Sequence, residues 1–297
     1  FNSTTDKVLP DENRMINGFT DYEELTRTRR LIMRSYKLPG NRLRLLHTNE
    51  NRGAVTIDEE RDYHFRYVLE DNFGNRRTYQ FIVKGKRQDI PEYKPEANEM
   101  LYWNRTNVIQ KPGMELVVPR YYVYEDVSLR TDMRGDSSHI AFDYILDAGR
   151  TPIHSYCDLS IGLRHMPVAD TTKYYIVQKA GKWRSSMGGK YANGWIKTRV
   201  RSLGTFSVDV DTIAPQITPI GQGGWRTSRN IRFRIKDMES GIGSYKVYID
   251  GKFVLFGLKK GILVIQDPEK VKKGVPHKLE VTVTDQCGNM ARKEYKF

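Results

Sequence analysis

Two periodicities divide the chain. Tyr22, Leu25, Ile32 and Tyr36 recur at helical spacing, behind Thr20-Asp21 and Glu23-Glu24 in a capping-box arrangement. Pro39-Gly40 ends that run, so the pattern predicts one helix near the N-terminus. Nearly everything after it has period two. Phe65, Tyr67 and Leu69 fall on alternate positions, as do Tyr79, Phe81 and Val83. Ile231, Phe233 and Ile235 interleave with Arg232 and Arg234, and Leu279, Val281 and Val283 with Lys278, Glu280 and Thr282. Strand-like runs also occupy Leu116–Val118, Tyr174–Val177 and Phe206–Val210. Short period-two runs separated by turn residues are the pattern of antiparallel sandwiches.

An internal echo organises these strands. Residues 64–83 and 277–297 each read as strand, D-x-x-G-N, strand, with the turns at Asp71 to Asn75 and Asp285 to Asn289. Such a turn suits a tight hairpin, because Gly accepts positive φ and Asp bonds nearby backbone. Two copies of one terminal hairpin, each closing an immunoglobulin-like sandwich, explain the echo. The charged stretch 84–99, with Pro91 and Pro95, reads as a linker, and Val208–Pro215 marks the start of another unit. The expected fold class is therefore mainly β: tandem β-sandwich (immunoglobulin-like) modules with one helix near the N-terminus. Residues 1–88 form a helix plus β-sandwich-like module, incomplete if its first strands lie elsewhere. Residues 97–210 form a central β-sandwich, and 211–297 a C-terminal immunoglobulin-like domain.

Charge adds a partner class. Lys plus Arg number 49 against 36 Asp plus Glu, a net charge of +13, which points to nucleic acid, acidic glycan or a membrane surface. No nucleic-acid-binding fold is evident in the pattern, so nucleic acid is not expected as a partner. The charge reads instead as a diffuse solvated surface, with weak attraction to an anionic cell wall as the alternative. No apolar run approaches the roughly 20 residues that span a bilayer, so no transmembrane segment is expected. Cys157 and Cys287 are too few for a disulfide scaffold or a cysteine zinc site. They read as two separate free thiols, with one long-range disulfide as the alternative. The chain begins at Phe1 with neither Met nor a signal segment, as expected of a processed or partial chain.

Candidate chemistry is sparse. There is no G-x-S-x-G elbow, no P-loop and no G-x-G-x-x-G after a strand. His139 to Asp143 fits H-x-x-x-D, but His154 or His165 could add a third zinc ligand only through the fold, and His139 reads as a solvated loop residue. Ser137-Ser138-His139 sets a hydroxyl beside an imidazole, yet triads assemble in space rather than by adjacency. Asp237, Glu239 and Asp250 are donors of the kind calcium takes, although Ser240-Gly241 and Asp250-Gly251 make them turn formers. No catalytic and no metal residues are assigned. Trp183 (KAGKWRSS) and Trp225 (GGWRTSR) sit among Gly and basic residues and are assigned as ligand-binding candidates. Sugar-binding surfaces set an aromatic plane beside polar donors. Trp195, at the start of a strand, reads as core.

Several motifs taken together resemble a known family. They are D-T-x-x-P from Asp211, D-x-x-S-G-I from Asp237, Y-x-x-x-I-D-G-K from Tyr245 and the closing H-x-L-x-V-x-V-x-D-x-x-G-N from His277. Upstream stand L-P-G-N-R-L (Leu38 to Leu43), G-M-E-L-V-V-P (Gly113 to Pro119), G-G-K-Y-A-N-G-W-I (Gly188 to Ile196) and V-R-S-L-G-T-F (Val200 to Phe206). This order resembles the C-terminal, non-catalytic region of secreted bacterial lysostaphin-like zinc metallopeptidases, cell-wall endopeptidases whose chains end in a bacterial immunoglobulin-like domain. In that family zinc is held by H-x-x-x-D and a later H-x-H. The six histidines here are His47, His64, His139, His154, His165 and His277, and no two form H-x-H.

The resemblance therefore implies that the catalytic domain, with its zinc, lies upstream of Phe1, and that this chain carries no cofactor and no complete catalytic site. It implies a non-catalytic accessory region that positions or regulates that upstream peptidase domain. Peptidoglycan or another envelope glycan would be its further partner, in the periplasm, at the cell surface or outside the cell. The alternative is a surface adhesin or glycan-binding β-sandwich protein without enzymatic activity.

Overall fold

The period-two runs become antiparallel strands whose side chains alternate between core and solvent. The computed structural model describes residues 2–3, 12–89, 91 and 96–297. The chain is mainly β and divides into two units, Phe1–Glu96 and Ala97–Phe297. The linker expected over 84–99 lies partly outside the described residues.

The first unit contains β1 (Asn2–Ser3), α1 (Glu12–Met15), α2 (Tyr22–Thr28) and β2 (Leu46–His47), which pairs with β1. Leu38, Asn41 and Leu43 of the L-P-G-N-R-L motif are buried, as are Met15, Phe19 and Leu46. Asn41 donates to the Met15 carbonyl at 3.2 Å and accepts from the Leu43 amide at 3.0 Å. Asp21 caps α2 by accepting from the Glu24 amide at 3.0 Å. The helix expected to reach Pro39 instead stops at Thr28, with Arg29 at φ 66°. A tertiary bridge explains the early stop: Asp21 donates to the Ile32 carbonyl and Arg34 to the Phe19 carbonyl, each at 2.8 Å. Those bonds draw residues 32–34 out of helical register, and pairing outweighs propensity.

β3 (Asp62–Glu70) and β4 (Arg76–Lys84) form the first of the two echoed hairpins. The sandwich-like module expected here is corrected: among the described residues this unit holds only two-stranded sheets. Phe65 stacks on Phe81 at 5.1 Å between ring centres, while Tyr67, Leu69, Tyr79 and Phe81 stay exposed. Alternation thus gives the ribbon an apolar face, but no second sheet covers it among the described residues.

The second unit opens with a two-sheet sandwich. Its strands are β5 (Glu99–Leu101), β6 (Asn107–Lys111), β7 (Met114–Val118), β8 (Val127–Arg134), β9 (Asp143–Asp147) and β10 (Cys157–Gly162). There follow β11 (Tyr174–Ala180), β12 (Trp183–Ser186), β13 (Lys190–Ala192), β14 (Trp195–Val200) and β15 (Gly204–Val210). One sheet has the order β13-β14-β10-β7-β6 and the other β12-β11-β15-β9-β8-β5. Leu116, Leu159, Ile161 and Ile196 from the first meet Leu129, Leu146, Ile176 and Phe206 from the second in one core.

A second sandwich follows Asp211. Its strands are β16 (Gln216–Ile220), β17 (Arg232–Lys236), β18 (Ile242–Ile249) and β19 (Lys252–Phe253), then β20 (Phe256–Lys259), β21 (Ile262–Ile265), β22 (Lys278–Asp285) and β23 (Met290–Lys296). The sheets β16-β17-β21-β20 and β19-β18-β22-β23 enclose Phe233, Leu263, Leu279, Val281 and Val283, all fully buried. The β22–β23 turn repeats the β3–β4 turn bond for bond. Asp71 accepts from the Phe73 and Asn75 amides at 2.9 Å and from Asn75 Nδ2 at 2.8 Å. Asp285 accepts from the Cys287 and Asn289 amides at 2.8 Å and from Asn289 Nδ2 at 2.7 Å. Gly74 and Gly288 take φ of 82° and 80°, which a side chain would resist.

Asp211 joins the two sandwiches. Its amide donates to the Lys173 carbonyl at 2.9 Å, and its own carbonyl accepts from Asn289 Nδ2 at 3.0 Å. Lys173 Nζ reaches the Cys287 carbonyl at 3.0 Å, Tyr175 Oη donates to Glu239 at 3.2 Å, and Tyr175, Val177 and Cys287 are buried together. Cys157 and Cys287 are buried free thiols, and burial pushes them up to about 12 and about 11.

Trp225 corrects a candidate drawn from the sequence. A short helix, α3 (Trp225–Ser228), turns its indole inward, where it is 0% exposed. The ring meets Phe233, Tyr295 and Phe297 edge-on at 5.1–5.9 Å, and Nε1 donates to the Ile220 carbonyl at 3.0 Å. An indole so enclosed presents nothing to a ligand. Trp225→Ala should cost about 3–5 kcal/mol in denaturant unfolding of the whole chain, the range for a large buried aromatic.

His277 closes the same module. Nδ1 lies 2.6 Å from an Asp250 oxygen and Nε2 2.7 Å from the Lys272 carbonyl. Neither oxygen carries a proton when Asp250 is ionised, so both ring nitrogens must donate and the imidazolium is favoured. Burial pulls the ring's pKa down, but the Asp250 and Lys272 bonds outweigh it and the net shift is upward. A raised folded-state pKa gives stability that is full below the unfolded value of about 6.5 and is lost as pH rises through the folded value. Thermal unfolding followed between about pH 6 and pH 9 should show that loss, and His277→Gln should remove it.

Candidate ligand-binding site

Four chain segments converge at one end of the central sandwich. The β6–β7 turn supplies Pro112-Gly113, Phe142 just precedes β9 and Tyr144 lies within it, the end of β10 leads into Leu163-Arg164, and the β13–β14 turn supplies Gly194 ahead of Trp195 at the start of β14. They line a cavity of about 400 Å³, within the range of small-ligand sites.

Strand register makes this space. β10 and β14 pair from Cys157↔Val200 to Gly162↔Trp195. Ile161 and Ile196 are fully buried, so alternation turns the next pair, Gly162 and Trp195, away from the core. Gly162 has no side chain to lay across its partner. A Cβ there would lie 3.6 Å from indole Cδ2, an ordinary contact that would cover part of the ring. Gly113 is held by a stricter demand: at φ 77°, a Cβ would stand 2.6 Å from the Tyr144 hydroxyl. That hydroxyl donates to the Pro112 carbonyl at 2.7 Å, and burial pushes it up to about 12.

Arg164 supplies the charge. Its guanidinium carbon stands 4.1 Å from the Phe142 ring centre, and one terminal nitrogen donates to the Asp136 carbonyl. The site can therefore take a flat, partly apolar group beside a fixed cation. It offers no nucleophile paired with a base.

The residues singled out from the sequence are dispersed. Trp183 is 81% exposed on the β11–β12 hairpin. Register sets that hairpin at the Leu146 end of β9, whereas Phe142 precedes the opposite end. Trp225 is core, and Trp195, read as core, is half-buried in the pocket wall. His139 bonds Asp136 at 2.9 Å while Asp143 bonds Lys179 at 2.5 Å, so the H-x-x-x-D pair has separate partners. His154 is buried against Tyr124 Oη at 2.9 Å. Ser138 Oγ donates to Asp136 rather than to His139, which is turn geometry and not a triad.

One oxygen cluster does form. Asp211, Asp237 and Asp285 each place a carboxylate oxygen within 4.8 Å of the others, donors suited to calcium. These carboxylates also hold turns: Asp211 accepts from the Ser240 amide and hydroxyl, Asp237 from the Glu239 and Gly241 amides, and Asp285 from two amides of its own hairpin. Burial raises the Asp285 carboxyl and the Asp211 charge adds to the rise, against the Asn289 bonds. The cluster thus has a complete structural role in the turns. Of the three acids considered from sequence only Asp237 belongs to it, since Glu239 accepts from Tyr175 and Asp250 from His277.

Among the described residues no helix is long and apolar enough to cross a membrane. Comparison with curated proteins gives no match. Seven solved chains match, one of them described as a Ca²⁺-stabilized adhesin that helps an Antarctic bacterium reach out and bind ice. It is 10% identical over 80% of each chain, with a TM-score of 0.20, too low to establish a shared arrangement. Residues 98–211, which contain every residue of the pocket, match the family model of the Zu5-like domain.

Proposed function

We propose that the chain is a non-enzymatic binding segment of a surface or secreted protein, and that its central sandwich holds a glycan against Trp195. The observation that carries this reading is the indole left open beside Gly162, with a guanidinium in the same cavity. Sugar rings present an apolar face and a polar rim, which suits an aromatic plane flanked by donors. The absence of a paired nucleophile and base in that cavity favours binding over turnover.

An accessory role beside a wall peptidase is a special case of this reading, with peptidoglycan as the glycan. The resemblance in the motifs is what supports that narrower version; the pocket supports binding alone.

Retention of the whole chain on insoluble peptidoglycan and on a glycan array tests the reading. Trp195→Ala should weaken retention about tenfold, equivalent to ~1.4 kcal/mol. Gly162→Ala should weaken it less while leaving the melting temperature unchanged, and Trp183→Ala should leave retention intact. Failure to bind any glycan, or equal retention by Trp195→Ala, would overturn the proposal.

A further inference from the structure

The part-exposed side-chain polar groups of the pocket are donors. No carboxylate, amide, serine or threonine side chain lines it. Its side-chain polar groups are the Arg164 guanidinium, the Trp195 indole N–H and the Tyr144 hydroxyl. The last spends its one proton on the Pro112 carbonyl, so its oxygen can only accept, in a residue that is almost fully buried. The carbonyls at the wall are engaged as well: Gly113 accepts from the Gly162 amide and Gly194 from the Leu163 amide, each at 2.8 Å. Arg164 spends one terminal nitrogen on the Asp136 carbonyl. Its Nε and second terminal nitrogen have no protein partner among the described residues.

A neutral sugar carries hydroxyls that donate as well as accept, and a site for it needs acceptors as well as donors. This wall has few to offer. An arginine with free donors in a fixed fork is matched instead by a carboxylate, which only accepts. Asp136, whose carbonyl Arg164 holds, and Asp143, beside Phe142 and Tyr144 in the chain, have their carboxylates occupied elsewhere, Asp136 with Ser138 and His139, and Asp143 with Lys179. The net charge of +13 acts in the same direction over longer range.

We infer that the pocket selects a carboxylated saccharide, with the apolar face of the sugar on Trp195 and its carboxylate on Arg164. The inference rests on the glycan-binding reading and narrows its ligand class. A wall amino sugar whose lactyl carboxyl carries no peptide and a uronate of another acidic polysaccharide share this chemistry.

Calorimetric titration of the whole chain with matched pairs separates the cases. One pair is a glucuronate oligosaccharide and its carboxyl-reduced neutral form, and the other is N-acetylmuramic acid and N-acetylglucosamine. The acidic member should bind at least tenfold more tightly in one or both pairs, and added salt should narrow the gap. Arg164→Gln should bring acidic and neutral members to parity, and Arg164→Lys should restore only part of the preference. Trp195→Ala should weaken every ligand alike. Equal affinity for acidic and neutral members, or a preference that survives Arg164→Gln, would overturn the carboxylate assignment while leaving glycan binding intact. No binding of any member would overturn both.

Discussion

Antiparallel register is the constraint on which the central module depends. Leu159, Ile161, Ile196 and Val200 must all face the second sheet, and a slip of one residue by either strand would turn its own members of this set to solvent. Burial therefore fixes β10 against β14 with no freedom left over. The same register sets Gly162 opposite Trp195 on the outer face. The pocket is a by-product of core packing that needs no separate device to hold it. A site built on strand ends in this way is pre-organised, which limits the ordering cost of binding.

Asp211 extends that order into the next module. One residue ends the central sandwich, caps a turn of the second and receives the side chain of Asn289 from the last hairpin. Around it lie the Lys173 and Tyr175 bonds and the buried contact of Tyr175, Val177 and Cys287. These contacts explain why residues 97–297 form one compact unit although they contain two sandwiches. The strands that follow D-T-x-x-P belong to other sheets than those before it. The bonds that tie the sheets together were not legible in the chain, because their partners are far apart in sequence.

Other features divide along the same line. The D-x-x-G-N turns were readable because every bond in them is local, and both copies form the same set. The mainly β class was readable because period-two burial is written in the residues themselves. The helix after Asp21 was overextended because a bridge between Thr20 and Met33, invisible to local spacing, claims the residues it needed. Trp225 and Trp195 each follow glycine in a basic neighbourhood, yet one is core and the other lines the pocket. What separates them is a helical turn that tucks one indole inward and a cross-strand glycine that bares the other. The Asn-Gly turn before Trp195 was a visible signal. Its meaning depended on knowing that Gly162 is the strand partner.

The four tryptophans of the chain make one spectroscopic measurement decisive. Two-dimensional ¹H–¹⁵N spectra of the whole chain resolve the indole N–H of Trp103, Trp183, Trp195 and Trp225. On titration with an acidic oligosaccharide, the Trp195 indole should shift together with the amides of Gly113, Leu163 and Gly194, while Trp225 stays still. Shifts centred on Trp183, or spread over the basic surface with Trp195 unmoved, would contradict a glycan site at Trp195.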